Sequence, residues 1–175
     1  LIFFVGMLVT AIVYTPVALA AAPLPAVTRS AVIGLWAKLI IAWLRLSCGL
    51  RHRVSGLDNL PAQPCVILSK HQSAWETIAF QEIFPAQAWV LKRELLWIPF
   101  FGWGLAATRP IAIDRKAGVR ALDGLVKQGM ERLAGGRYVV VFPEGTRRAP
   151  GERGRYNPGG AMLASKAGVP LVPVA

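Results

Sequence analysis

The chain has 175 residues, with 20 Lys and Arg against 9 Asp and Glu, and its formal net charge of +11 calls for anionic partners such as phosphoesters or acidic lipid head groups. No nucleic acid is expected among them, because the basic residues come with neither interleaved exposed aromatics nor a recognisable binding motif. An apolar fraction of 54% with a mean hydropathy of +0.46 is high for a soluble domain, and the excess sits at the N-terminus.

From Leu1 to Thr28 there is no Lys, Arg, Asp or Glu, and LIFFVGMLVTAIVYTPVALAAA matches the ~20 apolar residues that cross a bilayer as a helix. Such a helix spans or at least inserts, with Pro16 kinking it and Pro23 and Pro25 ending it. A secretory signal ending in ALAAAP is the competing reading. The next run, SAVIGLWAKLIIAWLRLSCGL, places Trp36 and Trp43 two positions from Lys38 and Arg45. Two residues are about 200° on a helix, so indoles and cations face opposite ways. That suits a helix lying among head groups with its tryptophans dipped into lipid, or else a second buried helix. Arg51 and Arg53 follow and place this side toward the cytoplasm. Cys48 and Cys65 have no His or Cys at metal-ligand spacing, so both read as small buried hydrophobes, with no disulfide framework and no metal site.

Residues 1–50 are thus expected to form membrane-associated helices and residues 51–175 an α/β domain. The first residue is not Met, and the closing LVPVA reads as a strand cut off, so a further C-terminal part is expected. Within the domain, short apolar runs alternate with helical patterns. CVILS, AWVLK, RPIAID, YVVVF and VPLVPV read as strands; Ser73–Phe84, Ala117–Ala134 and Asn157–Gly168 read as helices. In the second of these, Val119, Leu122, Leu125, Val126, Met130 and Leu133 recur at helical spacing before Gly135 and Gly136 stop it. The alternation predicts a largely parallel sheet covered by helices, with ligands bound beyond the carboxyl ends of the strands.

Two stretches at predicted strand ends carry chemistry. Phe142-Pro-Glu144-Gly145-Thr-Arg147 offers backbone N–H groups, a hydroxyl and a guanidinium fork, a set suited to a phosphate monoester. The same residues also make a plain turn with a surface ion pair. His71 ends the strand before it, and Glu76 can orient its imidazole only if His71 stands in the loop ahead of the helix. Ser73-Ala-Trp-Glu76 is equally a capping box, with Ser73 bonding the Glu76 N–H and Glu76 returning to Ser73.

Four blocks in order, HQSAWE (71–76), PIAIDR (110–115), FPEGTR (142–147) and VPLVPV (169–174), resemble the motifs of the glycerolipid acyltransferases related to the 1-acylglycerol-3-phosphate acyltransferases. The resemblance implies a membrane-bound enzyme that moves a fatty acyl group from acyl-CoA or acyl-carrier protein to the free hydroxyl of 1-acylglycerol 3-phosphate, giving phosphatidic acid. Neither cofactor nor metal is implied. His71 would be the general base and Glu76 its orienter, while Arg115, Glu144, Gly145 and Arg147 would belong to the acceptor's glycerol phosphate site, with Lys92 ahead of a Glu-Leu stretch similar to one in relatives joining them. The family's usual carboxylate in the first block is Asp, so Glu76 must bend to reach the same nitrogen. YNPGG (156–160) lacks the basic residues that relatives carry there, and no phosphate contact is assigned to it. The alternatives are another lysolipid or glycerol 3-phosphate as acceptor, a catalytically inactive membrane scaffold of the same fold, and a phosphohydrolase.

Overall fold

The computed structural model describes all residues, Leu1–Ala175. Two helices come first, α1 (Ile2–Ala20) and α2 (Ala26–Cys48). The alternating unit follows as β1 (Val66–Ser69), α3 (Trp75–Ile83), β2 (Gln87–Lys92), α4 (Phe101–Ala107), β3 (Ile111–Ile113), α5 (Val119–Ala134), β4 (Tyr138–Val141), α6 (Gly159–Ala167) and β5 (Leu171–Val174). The five strands form one parallel sheet in the order β3-β2-β4-β1-β5. The parallel sheet covered by helices therefore stands as expected.

The sheet is buried on both sides, and its side chains sort by the period of two that a strand imposes. Val66, Ala88, Ile111, Val139 and Val141 meet Leu125, Val126 and Leu133 of α5 and Leu163 of α6 on one face. Cys65, Ile67, Trp89, Leu91 and Val140 meet Phe80 of α3 on the other. β4 is buried along its whole length, which explains why YVVVF is a continuous β-branched run rather than an alternating one. Pro173 lacks an N–H to donate and sits on the edge strand β5, where that lack is tolerated.

The helices α5 and α6 approach closely at Gly129, where an added Cβ would lie 2.4 Å from a methyl of the fully buried Leu163. Gly129→Ala should therefore overpack this face, costing about 1–3 kcal/mol and lowering Tm by several degrees in a thermal melt.

α1 and α2 fold back on each other as a hairpin. The Tyr14 hydroxyl donates to the Val32 carbonyl at 2.7 Å, and Trp36 Nε1 donates to Thr10 Oγ1 at 3.3 Å. A Cβ on Gly6 would collide with the Trp43 indole at 2.3 Å, so that ring fills the space the glycine leaves. The tryptophans thus face α1, which corrects the expectation that they dip into lipid. Trp36 finds a hydrogen-bond partner on the neighbouring helix, whereas Trp43 packs on Gly6 with its Nε1 buried and unpartnered. Lys38 and Arg45 do lie on the exposed face, as the spacing required. Phe4, Val13, Leu35, Leu39 and Leu46 are exposed on the outside of the hairpin. Both helices are long and apolar enough to cross a membrane by length and composition.

Two further corrections concern the ends of elements. Cys65 is buried as expected, but Cys48 ends α2 and is exposed. α4 has no counterpart among the predicted helices: seven residues are too few for a periodic signal, and Gly102 within it packs against the Leu96 carbonyl, where a Cβ would come within 2.5 Å. The hairpin docks on the domain through α3 and α4. Thr15 Oγ1 donates to the Phe100 carbonyl at 3.2 Å, and Gly34 abuts the Gln81 carbonyl.

Candidate active site

Four neighbouring parallel strands end on the same edge of the sheet, and each is followed by a candidate residue. His71 follows β1, Lys92 closes β2, Arg115 follows β3, and Glu144 to Arg147 follow β4. Parallel strands with helical crossovers leave their carboxyl ends free for such loops, and for that reason residues far apart in sequence meet here.

His71 stands in the loop before α3. Its ring stacks on Phe142, with centroids 4.1 Å apart and planes inclined by 16°. Its carbonyl accepts a hydrogen bond from the Arg148 N–H at 2.9 Å, which ties the first block to the third. Nδ1 is buried and lies 3.7 Å from Glu76 Oε2, an ion-pair distance longer than a hydrogen bond. Nε2 is the nitrogen left for an incoming group.

Glu76 is held more firmly than His71. Its Oε1 accepts from the Gln72 N–H at 2.9 Å and the Ser73 N–H at 3.1 Å, and Oε2 accepts from the Ser73 hydroxyl at 3.0 Å. Only half of the expected capping box forms. Glu76 does return to the Ser73 backbone, but the Ser73 hydroxyl accepts from the Trp75 N–H, and α3 begins at Trp75 rather than Ser73. The longer side chain of Glu thereby spans both tasks, tying down the loop ahead of α3 and reaching toward Nδ1. Burial raises the Glu76 pKa, but His71, the backbone N–H groups of Glu76 and Gln72 and the Ser73 hydroxyl outweigh it and hold the carboxyl at about 2. Since Nδ1 lies beyond hydrogen-bond range, we assign most of this lowering to the local donors. A carboxyl depressed on folding stabilises the fold above its ordinary value near 4.5, and that contribution is lost as pH falls through about 2. The gap in urea midpoint between wild type and Glu76→Gln should accordingly be widest above pH ~5 and shrink steadily on acidification.

In the third block, Gly145 adopts a φ of +68° that L side chains disfavour, and its carbonyl accepts a hydrogen bond from Arg115 Nη1. Partial burial lowers the Arg115 pKa, with Glu94 opposing. Asn157 closes the turn, donating from N at 2.8 Å and from Nδ2 at 3.0 Å to the Pro143 carbonyl. The Arg147 side chain has neither hydrogen bond nor ion pair within the protein and is exposed.

These elements enclose one cavity of about 1240 Å³. His71, Lys92, Arg115, Gly145 and Arg147 line its polar end, and Met7, Leu8, Ile33 and Trp36 of the hairpin line its apolar end. Glu144 is the exception among the candidates. It is buried outside the cavity lining, with Oε1 accepting from the Gly154 N–H at 3.0 Å. A carboxylate there would repel a phosphate, and its observed bond instead pins the loop that follows the block. Phe142 and Asn157 were not singled out in the sequence. Both lie next to residues that were, but stacking and turn closure leave no spacing signature.

A half-buried imidazole with a carboxylate behind it thus shares one cavity with the unpartnered Arg147 guanidinium and the apolar side chains of the hairpin. The model of the acyltransferase family matches residues 51–175, and the chain belongs to that family. It is 51% identical over 140 residues to the 1-acyl-sn-glycerol-3-phosphate acyltransferase of Pseudomonas aeruginosa, covering 80% of this chain and 54% of that protein. It is 33% identical over 139 residues to the human 1-acyl-sn-glycerol-3-phosphate acyltransferase alpha, covering 78% of this chain and 49% of that protein. The crystal structure of the 1-acyl-sn-glycerophosphate acyltransferase PlsC from Thermotoga maritima superposes with a TM-score of 0.74 at 25% identity, covering 98% of this chain and 69% of that one. The chain spans about half the length of the curated relatives named here.

Proposed function

We propose that the protein acylates the free hydroxyl of 1-acylglycerol 3-phosphate, using a thioester of coenzyme A or acyl-carrier protein, and releases phosphatidic acid. The observation that carries this reading is a single cavity in which His71, Arg115 and Arg147 share one end and the apolar hairpin forms the other. An amphiphile with a phosphate at one end, a hydroxyl beside it and a hydrocarbon chain matches that polarity.

In this reading the guanidinium of Arg147, with Arg115 and Lys92, binds the acceptor phosphate and sets the hydroxyl beside His71 Nε2. Nε2 accepts the hydroxyl proton as the oxygen attacks the thioester carbonyl carbon. The tetrahedral intermediate collapses by breaking the C–S bond, and the imidazolium returns its proton to the leaving thiolate. Glu76 stabilises the charged ring from the Nδ1 side. General-base assistance typically adds 10²–10⁴-fold, and alignment of the two reactants supplies several kcal/mol more. The thioester is a substrate, so the scheme uses no resident cofactor.

The hairpin brings the site to the lipid. The mid-helix residues Thr15 and Gly34 pack on the α/β domain, so a bilayer crossed at right angles would have to hold the domain as well. The geometry favours a hairpin embedded in one leaflet, its exposed apolar face in the acyl chains, with Arg51 and Arg53 toward the cytoplasm. Purified protein offered a panel of acceptors with labelled acyl-CoA tests the assignment. Preference for 1-acylglycerol 3-phosphate is the expected result, and preference for a monoacylglycerol without phosphate would remove the roles given to the arginines.

A further inference from the structure

Four arginines outside the acyltransferase blocks meet on the opposite edge of the sheet. Arg109 and Arg137 precede β3 and β4, Arg132 lies in the last turn of α5, and Arg29 lies in the first turn of α2. They line a second cavity of about 400 Å³ together with Glu131 and the hairpin tip from Pro23 to Ala26. The parallel strands run away from this edge toward His71 and Arg115, so the two cavities lie at opposite ends of the sheet.

Burial makes this cluster unusual. Arg29 is 2% exposed and Arg137 is 4% exposed. Their donors are met mainly by carbonyl oxygens: Arg29 Nη1 donates to Ala22 and Leu24 at 3.2 and 2.9 Å, and Arg137 Nη1 donates to Thr108 at 2.8 Å. Arg132 Nε and Arg137 Nη2 share the Arg109 carbonyl at 3.1 and 3.3 Å. Carbonyl groups satisfy hydrogen bonds but leave the positive charge in place. Burial, and then the charges of Arg132, Arg29 and Arg109, push the Arg137 guanidinium down to about 10. The one carboxylate at the cavity, Glu131, is half-exposed and reaches only Arg132, at 3.5 Å. Arg29 Nε is buried with no partner. Arg109 itself holds a φ of +49°, a conformation a non-glycine residue adopts only when its surroundings impose it.

Capping of loop carbonyls explains the individual bonds. It does not explain four like charges converging with one exposed carboxylate between them, an arrangement that repels itself unless an anion joins it. We propose that Arg29, Arg109, Arg132 and Arg137 form a second anion site that takes a phosphate group, separate from the acceptor site at His71. Guanidinium forks bind phosphate oxygens two at a time, and the cavity holds more than a bare phosphate. The exposed Leu24 and Val27 stand beside it at the hairpin tip, where a lipid head group would bring its phosphate to the arginines while its chains follow the helices. A free phosphate has the same recognition chemistry, so the test distinguishes the two sources. The proposal does not depend on acyl transfer, and its readout is binding alone.

The test compares the wild-type chain with Arg109→Asn/Arg132→Gln, leaving the buried Arg29 and Arg137 in place; Asn tolerates the positive φ at position 109. The control is Arg120→Asn/Lys127→Gln, which removes the same charge from exposed positions of α5. Each is titrated with phosphatidylcholine vesicles with and without phosphatidic acid, and each is melted in detergent with and without inorganic phosphate. The site pair should lose roughly ten- to thirtyfold of its preference for the anionic vesicles, with binding to neutral vesicles unchanged and a smaller loss in the control pair. If instead only the phosphate-induced rise in Tm is lost, the site stands and its ligand is the free anion. Equal losses in the site and control pairs, or no loss in either assay, overturn the proposal. Should the double variant not fold, Arg132→Gln alone is read by the same criteria.

Discussion

Replacing His71 with alanine should lower kcat for acyl transfer by about 10²–10⁴-fold while leaving the chain folded. The size follows from the role: an alcohol is a poor nucleophile near neutral pH, and Nε2 is the only ring nitrogen left free to take its proton, since Nδ1 is buried against Glu76. The structural cost is small by comparison. The link to Arg148 uses the His71 carbonyl, which alanine retains; what is lost is the stack on Phe142, worth about 1 kcal/mol, and the long contact of Nδ1 with Glu76. Coenzyme A release measured alongside a thermal melt separates the two effects. Wild-type turnover in a folded His71→Ala protein would exclude general-base catalysis at this position.

The second large effect belongs to Arg147. Its guanidinium has no intramolecular partner yet lines the polar end of the large cavity, so its removal should scarcely change stability. A charge-assisted hydrogen bond to phosphate is worth about 1.5–3 kcal/mol, which converts to roughly ten- to more than a hundredfold in kcat/KM for 1-acylglycerol 3-phosphate. Arg147→Lys should recover part of this, because an ammonium keeps the charge without the fork. Wild type and Arg147→Ala should act almost equally on a phosphate-free acceptor, whereas an equal drop with both acceptors would move Arg147 out of the phosphate site.

The strands and long helices were legible in the sequence because burial imposes a period. YVVVF reads as a strand from its β-branched run, and Val119 to Ala134 kept an apolar stripe until two glycines ended it. The convergence of the first three blocks was legible too, since each falls at the carboxyl end of a strand in a parallel sheet. What escaped were facts of packing rather than of pattern. Glu144 carries the same motif position whether it faces a ligand or turns inward to Gly154, and spacing cannot tell the two apart. The tryptophan stripe of α2 was correctly placed opposite the cations, but its contact was with Gly6 and Thr10 of a neighbouring helix rather than lipid. Arg29, Arg109, Arg132 and Arg137 are scattered over more than a hundred positions, and only the folded chain shows that they share a cavity.

Activation of the acceptor hydroxyl by His71, with the acyl group passing straight from thioester to lipid, is tested most directly by a rapid-quench single turnover with acyl-labelled donor, run on wild type and His71→Ala in parallel. Direct transfer requires label to move from coenzyme A to phosphatidic acid with none bound to the wild-type protein at any time, and the variant to leave the donor intact. Label that appears first on the protein and then chases into product, or a variant that matches wild type in the rate of that transfer, would contradict it.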